Sequence, residues 1–214
     1  MNESLLVCEL FKSIQGESTF SGAVCVFLRL AGCNLNCTFC DTSYARDGGT
    51  VMTFSAIHEK IERYGSSLVE ITGGEPLLQQ GTAAFVRQLL AGKKTVLVET
   101  NGSLDIGVLP AGCIRIVDVK CPSSGMSHTF LERNITHLQL NDEVKFVIGS
   151  KEDFTWARSF IEKHSLDKKC TILFSPVVNK VPPADIARWI IDDDVPVRLQ
   201  LQLHKLIWGD VRGV

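Results

Sequence analysis

Val24-Cys25-Val26-Phe27-Leu28-Arg29-Leu30 runs directly into Ala31-Gly32-Cys33-Asn34-Leu35-Asn36-Cys37-Thr38-Phe39-Cys40-Asp41-Thr42. The first seven residues, β-branched and aromatic, read as a strand interrupted by one arginine. The twelve that follow read as a loop carrying Cys-x3-Cys-x2-Cys, with Gly32 and the two asparagines permitting tight turns. Such a loop folds three thiolates round one small object. A structural zinc site takes four protein ligands, and no nearby Cys or His supplies the fourth. His58, the nearest histidine, belongs to a helix-like stretch beyond Gly48-Gly49. Iron–sulfur clusters are ordinarily held by four cysteines, so three of them leave one iron open to an external ligand.

The other five cysteines, Cys8, Cys25, Cys113, Cys121 and Cys170, are scattered singly and read as small packing residues. The N-terminal Met1-Asn2-Glu3-Ser4 lacks the basic-then-apolar pattern of a secretory leader, so the expectation is a cytoplasmic protein with reduced thiols. The chain has 214 residues, a net charge of −2 and 45% hydrophobic residues. That composition excludes disorder, collagen and coiled coil, and at this length it predicts one domain over 1–214. The longest unbroken apolar run, 23–28, is far short of the ~18 residues of a helical membrane span. Near-neutral charge gives no global attraction to nucleic acid. Neither a membrane nor a nucleic acid is therefore an expected partner.

Working outward from the cysteine loop, strand-like and helix-like stretches alternate. Strands are predicted at Val24–Leu30, 68–72, 95–99, 114–119, 144–148, 171–174 and 197–203, with 6–10 also strand-like. Helices are predicted at Phe54–Tyr64, 82–90, 153–163 and 183–191, their starts marked by Ser55 and Pro183 and their stops by Gly65 and Gly92. This order implies an α/β fold with a parallel sheet, an open or partial (β/α) barrel. Polar motifs just after strands place the chemistry at the strands' C-terminal ends.

Cys33-x3-Cys37-x2-Cys40 after one strand and Gly73-Gly74-Glu75-Pro76 after the next resemble the radical S-adenosylmethionine (SAM) superfamily. Phe11-Lys12-Ser13-Ile14-Gln15-Gly16-Glu17, Arg29, Cys40-Asp41-Thr42 and the late Gln202-Leu203-His204-Lys205 narrow the resemblance to the 7-carboxy-7-deazaguanine synthase family. That resemblance implies a partial (β/α) barrel with a trimmed core and a 4Fe-4S cluster held by Cys33, Cys37 and Cys40. It implies SAM on the open iron, cleaved to methionine and a 5′-deoxyadenosyl radical. It also implies a pterin substrate, 6-carboxytetrahydropterin, converted to 7-carboxy-7-deazaguanine with loss of ammonia on the way to queuosine. By the same resemblance Ile14, Gln15, Gly16, Glu17, Arg29, Thr72 and His204 contact substrate. Phe39, Cys40, Asp41, Gly74, Glu75, Lys120, Ser123, Lys145 and Ser150 contact SAM, and Thr42 binds Mg2+. An electron donor such as flavodoxin or ferredoxin and a homodimer complete the implied partners. The tail from Trp208 to Val214 matches no motif.

These residue types suit those roles. A planar fork of donors at Arg29 suits a carboxylate. Glu17 suits the guanidine-like edge of a pterin. Asp41 and Thr42 offer hard oxygens to an ion that takes few protein ligands. Each also has a plain reading, as a strand-end arginine, a loop acid and a turn. His204 is expected at the end of the 197–203 run. Two rivals stay open on sequence: a glycyl-radical-enzyme activase, which uses the same cysteine spacing, and a non-catalytic zinc-binding module. The cysteine reading predicts that Cys33→Ala, Cys37→Ala or Cys40→Ala removes most iron after anaerobic reconstitution, while Cys113→Ala costs only packing stability. Iron and sulfide assays decide it, and iron loss confined to Cys113→Ala would overturn the ligand assignment.

Overall fold

The computed structural model describes residues 3–214. In chain order the main elements are β1 Ser4–Ile14, β2 Val24–Leu30, β3 Thr50–Thr53, α1 Phe54–Tyr64, β4 Leu68–Gly73, α2 Thr82–Ala91 and β5 Thr95–Thr100. They continue with β6 Ile114–Asp118, β7 Glu143–Ile148, α3 Lys151–His164, β8 Thr171–Pro176, α4 Pro183–Asp192, β9 Arg198–Leu199 and α5 Leu203–Trp208. Among the described residues the strands form one sheet in the order β3-β1-β2-β4-β5-β6-β7-β8-β9. β1 runs antiparallel to both its neighbours, and every pair from β2 to β9 is parallel. The sheet is open, with β3 and β9 at its edges, so the open form of the expected α/β architecture is the one found.

The strand pleat decides what each face carries, because successive side chains point to opposite faces. One face takes Val26, Leu28 and Leu30 of β2, Val69 and Ile71 of β4, and Val96 and Val98 of β5. These pack against Phe54, Ile57 and Ile61 of α1 and Phe85, Val86 and Leu89 of α2. Val144, Phe146 and Ile148 of β7 continue that layer against Phe154, Ala157 and Ile161 of α3. The opposite face has only a small apolar floor, Cys25, Phe27, Leu68, Leu97 and Ile116, with Phe11 and Phe20 at its side. Above the floor the alternation brings Arg29, Glu70, Thr72, Glu99, Asp118 and Lys145 inward, where they line a cavity.

The N-cap of α1 is Thr53, a polar neighbour of Ser55, whose side chain accepts from the Ala56 N–H. Two local expectations are corrected. Strand β1 is much longer than the 6–10 stretch, and β3 was hidden in a short, mostly exposed run with no apolar alternation. The 197–203 run is a strand only at Arg198–Leu199, and His204 sits in the first turn of α5. The Gln200 N–H makes one more bond to β8, at the Phe174 carbonyl (2.8 Å), after which the Leu203 N–H turns to the Gly16 carbonyl (2.9 Å). The scattered cysteines pack as expected, with Cys25, Cys113, Cys121 and Cys170 buried and Cys8 half-buried. Burial pushes the Cys113 thiol up to about 11 and the Cys170 thiol up to about 12.

A buried ion pair lies at the end of the sheet opposite the cavity. Asp142, just before β7, accepts from the Arg115 N–H at 2.8 Å and from its guanidinium at 3.1 Å, both residues being buried. The Gln139 N–H adds a third bond at 2.9 Å. Removing one partner of such a pair strands a buried charge, so Asp142→Ala is expected to cost about 3–5 kcal/mol in denaturant unfolding. The apolar double replacement Arg115→Met/Asp142→Leu is expected to lose markedly less. An equal loss in both would show that packing, not the stranded charge, sets the cost.

Candidate active site

The cysteine loop is tied to the ends of three parallel strands. The Gly74 N–H donates to the Leu30 carbonyl (3.1 Å) and the Glu75 N–H to the Gly32 carbonyl (2.8 Å). A Cβ on Gly73 would stand 2.1 Å from the Leu30 oxygen, and one on Gly74 only 2.0 Å from the Gly32 oxygen. Gly73 also has φ +133, a region side chains avoid. Both glycines are therefore required by backbone approach alone. Farther along, the Thr38 N–H and hydroxyl donate to the carbonyls of Ser124 (3.1 Å) and Ser123 (2.8 Å), after β6. The Asn34 carboxamide bonds Asn101 (3.2 Å) and Ser103 (2.8 Å), after β5.

Cys33, Cys37 and Cys40 all line the cavity, which measures about 660 Å³. Burial raises the Cys37 thiol, with the Lys120 ammonium working against it. Among the described residues, no three metal-ligating side chains close on a single ion. The three thiols line the cavity beside Gly73 and Gly74, Cys33 and Cys37 half-buried and Cys40 exposed, and that donor set fits the larger cluster that the spacing implies.

Every expected substrate residue lies in the same cavity: Ile14, Gln15, Gly16, Glu17, Arg29, Thr72 and His204. Arg29 faces inward from β2. Its Nε donates to Glu9 at 3.1 Å, and Tyr44 donates to the same oxygen at 3.1 Å. The terminal guanidinium nitrogens have no protein partner among these bonds, so the fork remains available. Gln15 is buried and fixed in orientation. Its Oε1 accepts from the Glu17 N–H at 3.0 Å while its Nε2 donates to Glu70. Gly16 is pressed against the C-terminal segment, where a Cβ would meet His204 Nδ1 at 2.2 Å and the His204 backbone nitrogen at 2.9 Å.

At the centre sits Lys145, 5% exposed. Its ammonium pairs with Glu17 at 2.9 Å, with Glu99, and more loosely with Asp118 at 3.9 Å. Burial works to lower the Lys145 pKa, but the carboxylates of Glu17, Glu99 and Asp118 outweigh it and hold the ammonium charged. Glu17 is the converse case. Burial works to raise it, and Lys145 with the Gln202 amide brings it below the usual carboxylate range. Thr72 donates to Glu99 at 3.0 Å, and Lys120 to Asp118 at 2.8 Å. Phe39, Asp41, Gly74 and Lys120 line the same cavity, with Thr42 beside Asp41.

The side chains of Glu75, Ser123 and Ser150 are bonded within the frame round the cavity. The Glu75 carboxylate is fully buried and accepts from the N–H groups of Leu77 (2.9 Å) and Asn101 (2.7 Å) and from the Thr100 hydroxyl (2.8 Å). Ser123 donates both its N–H (2.9 Å) and its hydroxyl to Asp153. Ser150 caps α3 by accepting from the Asp153 N–H at 3.2 Å. Their side chains hold the turns after β4, β6 and β7 in place. Sequence reasoning missed Glu9, Glu70, Glu99, Asp118 and Tyr44, and it left unassigned the tail, whose residues 209–214 line the cavity. The signal for three of them was one acid inside an apolar strand, as in Leu68-Val69-Glu70-Ile71, Val98-Glu99 and Val117-Asp118.

The family model described as the Radical SAM superfamily matches residues 28–117. The chain is 44% identical to a 7-carboxy-7-deazaguanine synthase of Chlorobaculum tepidum, over 98% of this chain and 97% of that relative. It is 40% identical to a protein of the same name from Koribacter versatilis, over 97% and 99% of the two chains. Its fold matches the crystal structure of QueE from Escherichia coli with a TM-score of 0.79 at 20% identity, covering 93% of this chain and 94% of that one.

The interior acids leave a measurable signature. Burial first, then the neighbouring Glu99 and Glu17, hold the Glu70 carboxyl well above the usual range. A group that binds its proton more tightly when folded makes stability fall as pH rises above its unfolded pKa of about 4.3. Glu70→Gln is neutral at every pH and keeps an acceptor for Gln15. Urea unfolding is expected to show the variant gaining stability over the natural chain between about pH 4 and 7, with no such trend below about pH 4. A difference independent of pH would show that Glu70 is ionised in the fold.

Proposed function

The chain belongs to the 7-carboxy-7-deazaguanine synthase family of the radical SAM superfamily, a lyase of queuosine biosynthesis that uses a 4Fe-4S cluster and SAM, and from that premise we propose how its cavity divides the work. The single observation that carries the proposal is the sharing of one cavity by three thiols, a glycine cradle and an arginine–carboxylate wall. When bound, the cluster and SAM supply a radical able to abstract hydrogen from the substrate. The residues of the chain bind, orient and enclose.

Cys33, Cys37 and Cys40 hold the cluster. Phe39, Asp41, Gly74 and Lys120 receive SAM, while Glu75, Ser123 and Ser150 keep the turns round it in shape. At the other end the Arg29 fork takes the carboxylate of 6-carboxytetrahydropterin, and Gln15 with Glu17 takes the guanidine-like edge of its ring. Lys145 pairs with both Glu17 and Glu99 and so holds the two carboxylates in place as acceptors for that edge. Ile14, Gly16, Thr72 and His204 complete the enclosure. Thr42 offers one hard oxygen to a magnesium ion whose other ligands are water and substrate. We read 1–214 as one domain, of which residues 1 and 2 lie outside the described part. The further proposals are a cytoplasmic homodimer and reduction by a flavodoxin or ferredoxin. Among the described residues no helix is long and apolar enough to cross a membrane.

The test is anaerobic incubation of reconstituted protein with SAM, a chemical reductant and 6-carboxytetrahydropterin, followed by mass analysis. The expected product is 7-carboxy-7-deazaguanine with released ammonia, and the ring contraction needs no net oxidation, so many products form per SAM consumed. Arg29→Ala leaves a buried substrate carboxylate without its partner, an expected loss of about 2–5 kcal/mol in kcat/KM. Arg29→Lys keeps the charge but not the planar fork, and recovers only part. No product from the natural chain, or full activity in the lysine variant, would overturn the corresponding assignment.

A further inference from the structure

Glu17 and Asp41 stand on two loops that serve opposite ends of the cavity, one after β1 and one after the last cysteine. The C-terminal segment after β9 touches both. The Gln202 Nε2 lies 2.8 Å from Glu17 Oε1 and 3.4 Å from Asp41 Oδ2. The Lys205 ammonium stands 3.1 Å from the same Asp41 oxygen. Behind them the segment is anchored to the Glu17 loop three more times. The Leu203 N–H donates to the Gly16 carbonyl (2.9 Å), the Gln200 carboxamide donates to Glu17 Oε2 (3.0 Å), and the Ser18 N–H donates to that carboxamide (2.7 Å). Gln200 itself is buried and continues the bonding of β8. Thus the strap is fixed to the sheet and the Glu17 loop, and it reaches across to Asp41 with one amide and one ammonium.

We propose that Gln202 and Lys205 are positioning residues that lock the Cys40–Thr42 segment to the Gln15–Glu17 segment, so that the cofactor end and the substrate end of the cavity keep a fixed separation. The proposal rests on the radical SAM reading for its purpose, since transfer of a hydrogen atom between two bound molecules requires close approach. The bridging itself rests only on the bonds above. Asp41 takes the Lys205 ammonium on one carboxylate oxygen (3.1 Å) and the Thr42 hydroxyl on the other (3.0 Å). Asp41 is therefore an anchor for the strap, and its backbone is continuous with a cluster ligand and with the proposed magnesium ligand.

Two readouts test this. The first is hydrogen exchange in the full metal-free chain. Gln202→Leu/Lys205→Met is expected to speed exchange of the amides in 37–46 about three- to tenfold while β4 and β5 are unchanged. The second is turnover of the reconstituted enzyme. A misplacement of the order of 1 Å costs up to about a hundredfold in rate, so kcat is expected to fall about ten- to a hundredfold, with the KM for each molecule changing far less. Lys205→Arg, which keeps the charge and reaches Asp41, is expected to restore the kcat of the Lys205→Met single variant. Unchanged exchange in 37–46 together with unchanged kcat would overturn the proposal, as would an arginine variant no better than methionine. If the double variant fails to fold, Lys205→Met alone carries both readouts with the same expected direction. Absence of product from the natural chain would strike the functional reading and leave the exchange result to decide the bridge.

Discussion

The pleat of the parallel strands, with the four longer helices on one face, is the constraint from which the rest follows. A strand at the middle of a parallel sheet normally buries both faces and carries apolar residues on each. Here α1, α2, α3 and α4 cover one face, and the other curves round a cavity that only the short α5 adjoins. The two-residue period therefore sorts the side chains of β2, β4, β5, β6 and β7 into two chemistries. Val, Leu, Ile and Phe go to the helices, and Arg29, Glu70, Thr72, Glu99, Asp118 and Lys145 go inward. A register slip of one residue in any of these strands would exchange the two sets. The fold and the site are thus specified by the same pattern.

Bringing that many charges together requires that they satisfy one another. Lys145 is the hub, since it is the buried cation between Glu17, Glu99 and Asp118, and Lys120 shares the Asp118 load. Arg29 is balanced separately by Glu9 across the β1–β2 pair, where the two residues are register partners. Glu70 makes no ion pair among the described residues; it accepts from the Gln15 amide, and burial with Glu99 and Glu17 holds its carboxyl well above the usual range. A cavity wall built this way holds acceptors in place before any ligand arrives, so little has to be reordered on binding. At the opposite end of the strands, Arg115 and Asp142 form a closed pair that faces no cavity and serves the frame alone.

The cysteine spacing, the Gly73-Gly74 turn and the strand–helix alternation were legible in the sequence because each is local. A glycine that must approach a carbonyl, or a heptad-like apolar stripe, leaves its mark within a few residues. The interior acids were harder, because Glu70 inside Leu68-Val69-Glu70-Ile71 has no local partner. Its partner Gln15 is 55 positions away. The same distance explains the failed strand at 197–203. Alternation there was real, but Gln200 and Gln202 alternate toward Glu17 and Ser18 rather than toward a sheet face. Glu75, Ser123 and Ser150 are the converse case. Motif position says nothing of the bonds their side chains make, and the structure shows a buried carboxylate with three donors and two hydroxyls bonded to Asp153, all within the turns beside the cavity.

Those turns explain why the cysteine loop can be long without losing its place. The Leu30 and Gly32 carbonyls receive the N–H groups of Gly74 and Glu75, so the loop continues the β2–β4 ladder past the ends of the strands. Glu75 then ties that extension to the end of β5, and Asp153 ties the turn after β6 to the start of α3. Each tie is made by a buried acid that accepts backbone N–H groups, an arrangement that fixes geometry through bonds too short and too numerous to drift. The Cβ distances of 2.1 Å and 2.0 Å at Gly73 and Gly74 state the same requirement as sterics. Position at the cysteine end of the cavity is therefore inherited from the sheet, and position at the Gln15–Glu17 end from the β1–β2 hairpin. Both ends are referred to one rigid element, and the C-terminal strap joins them across the cavity mouth where that element no longer reaches.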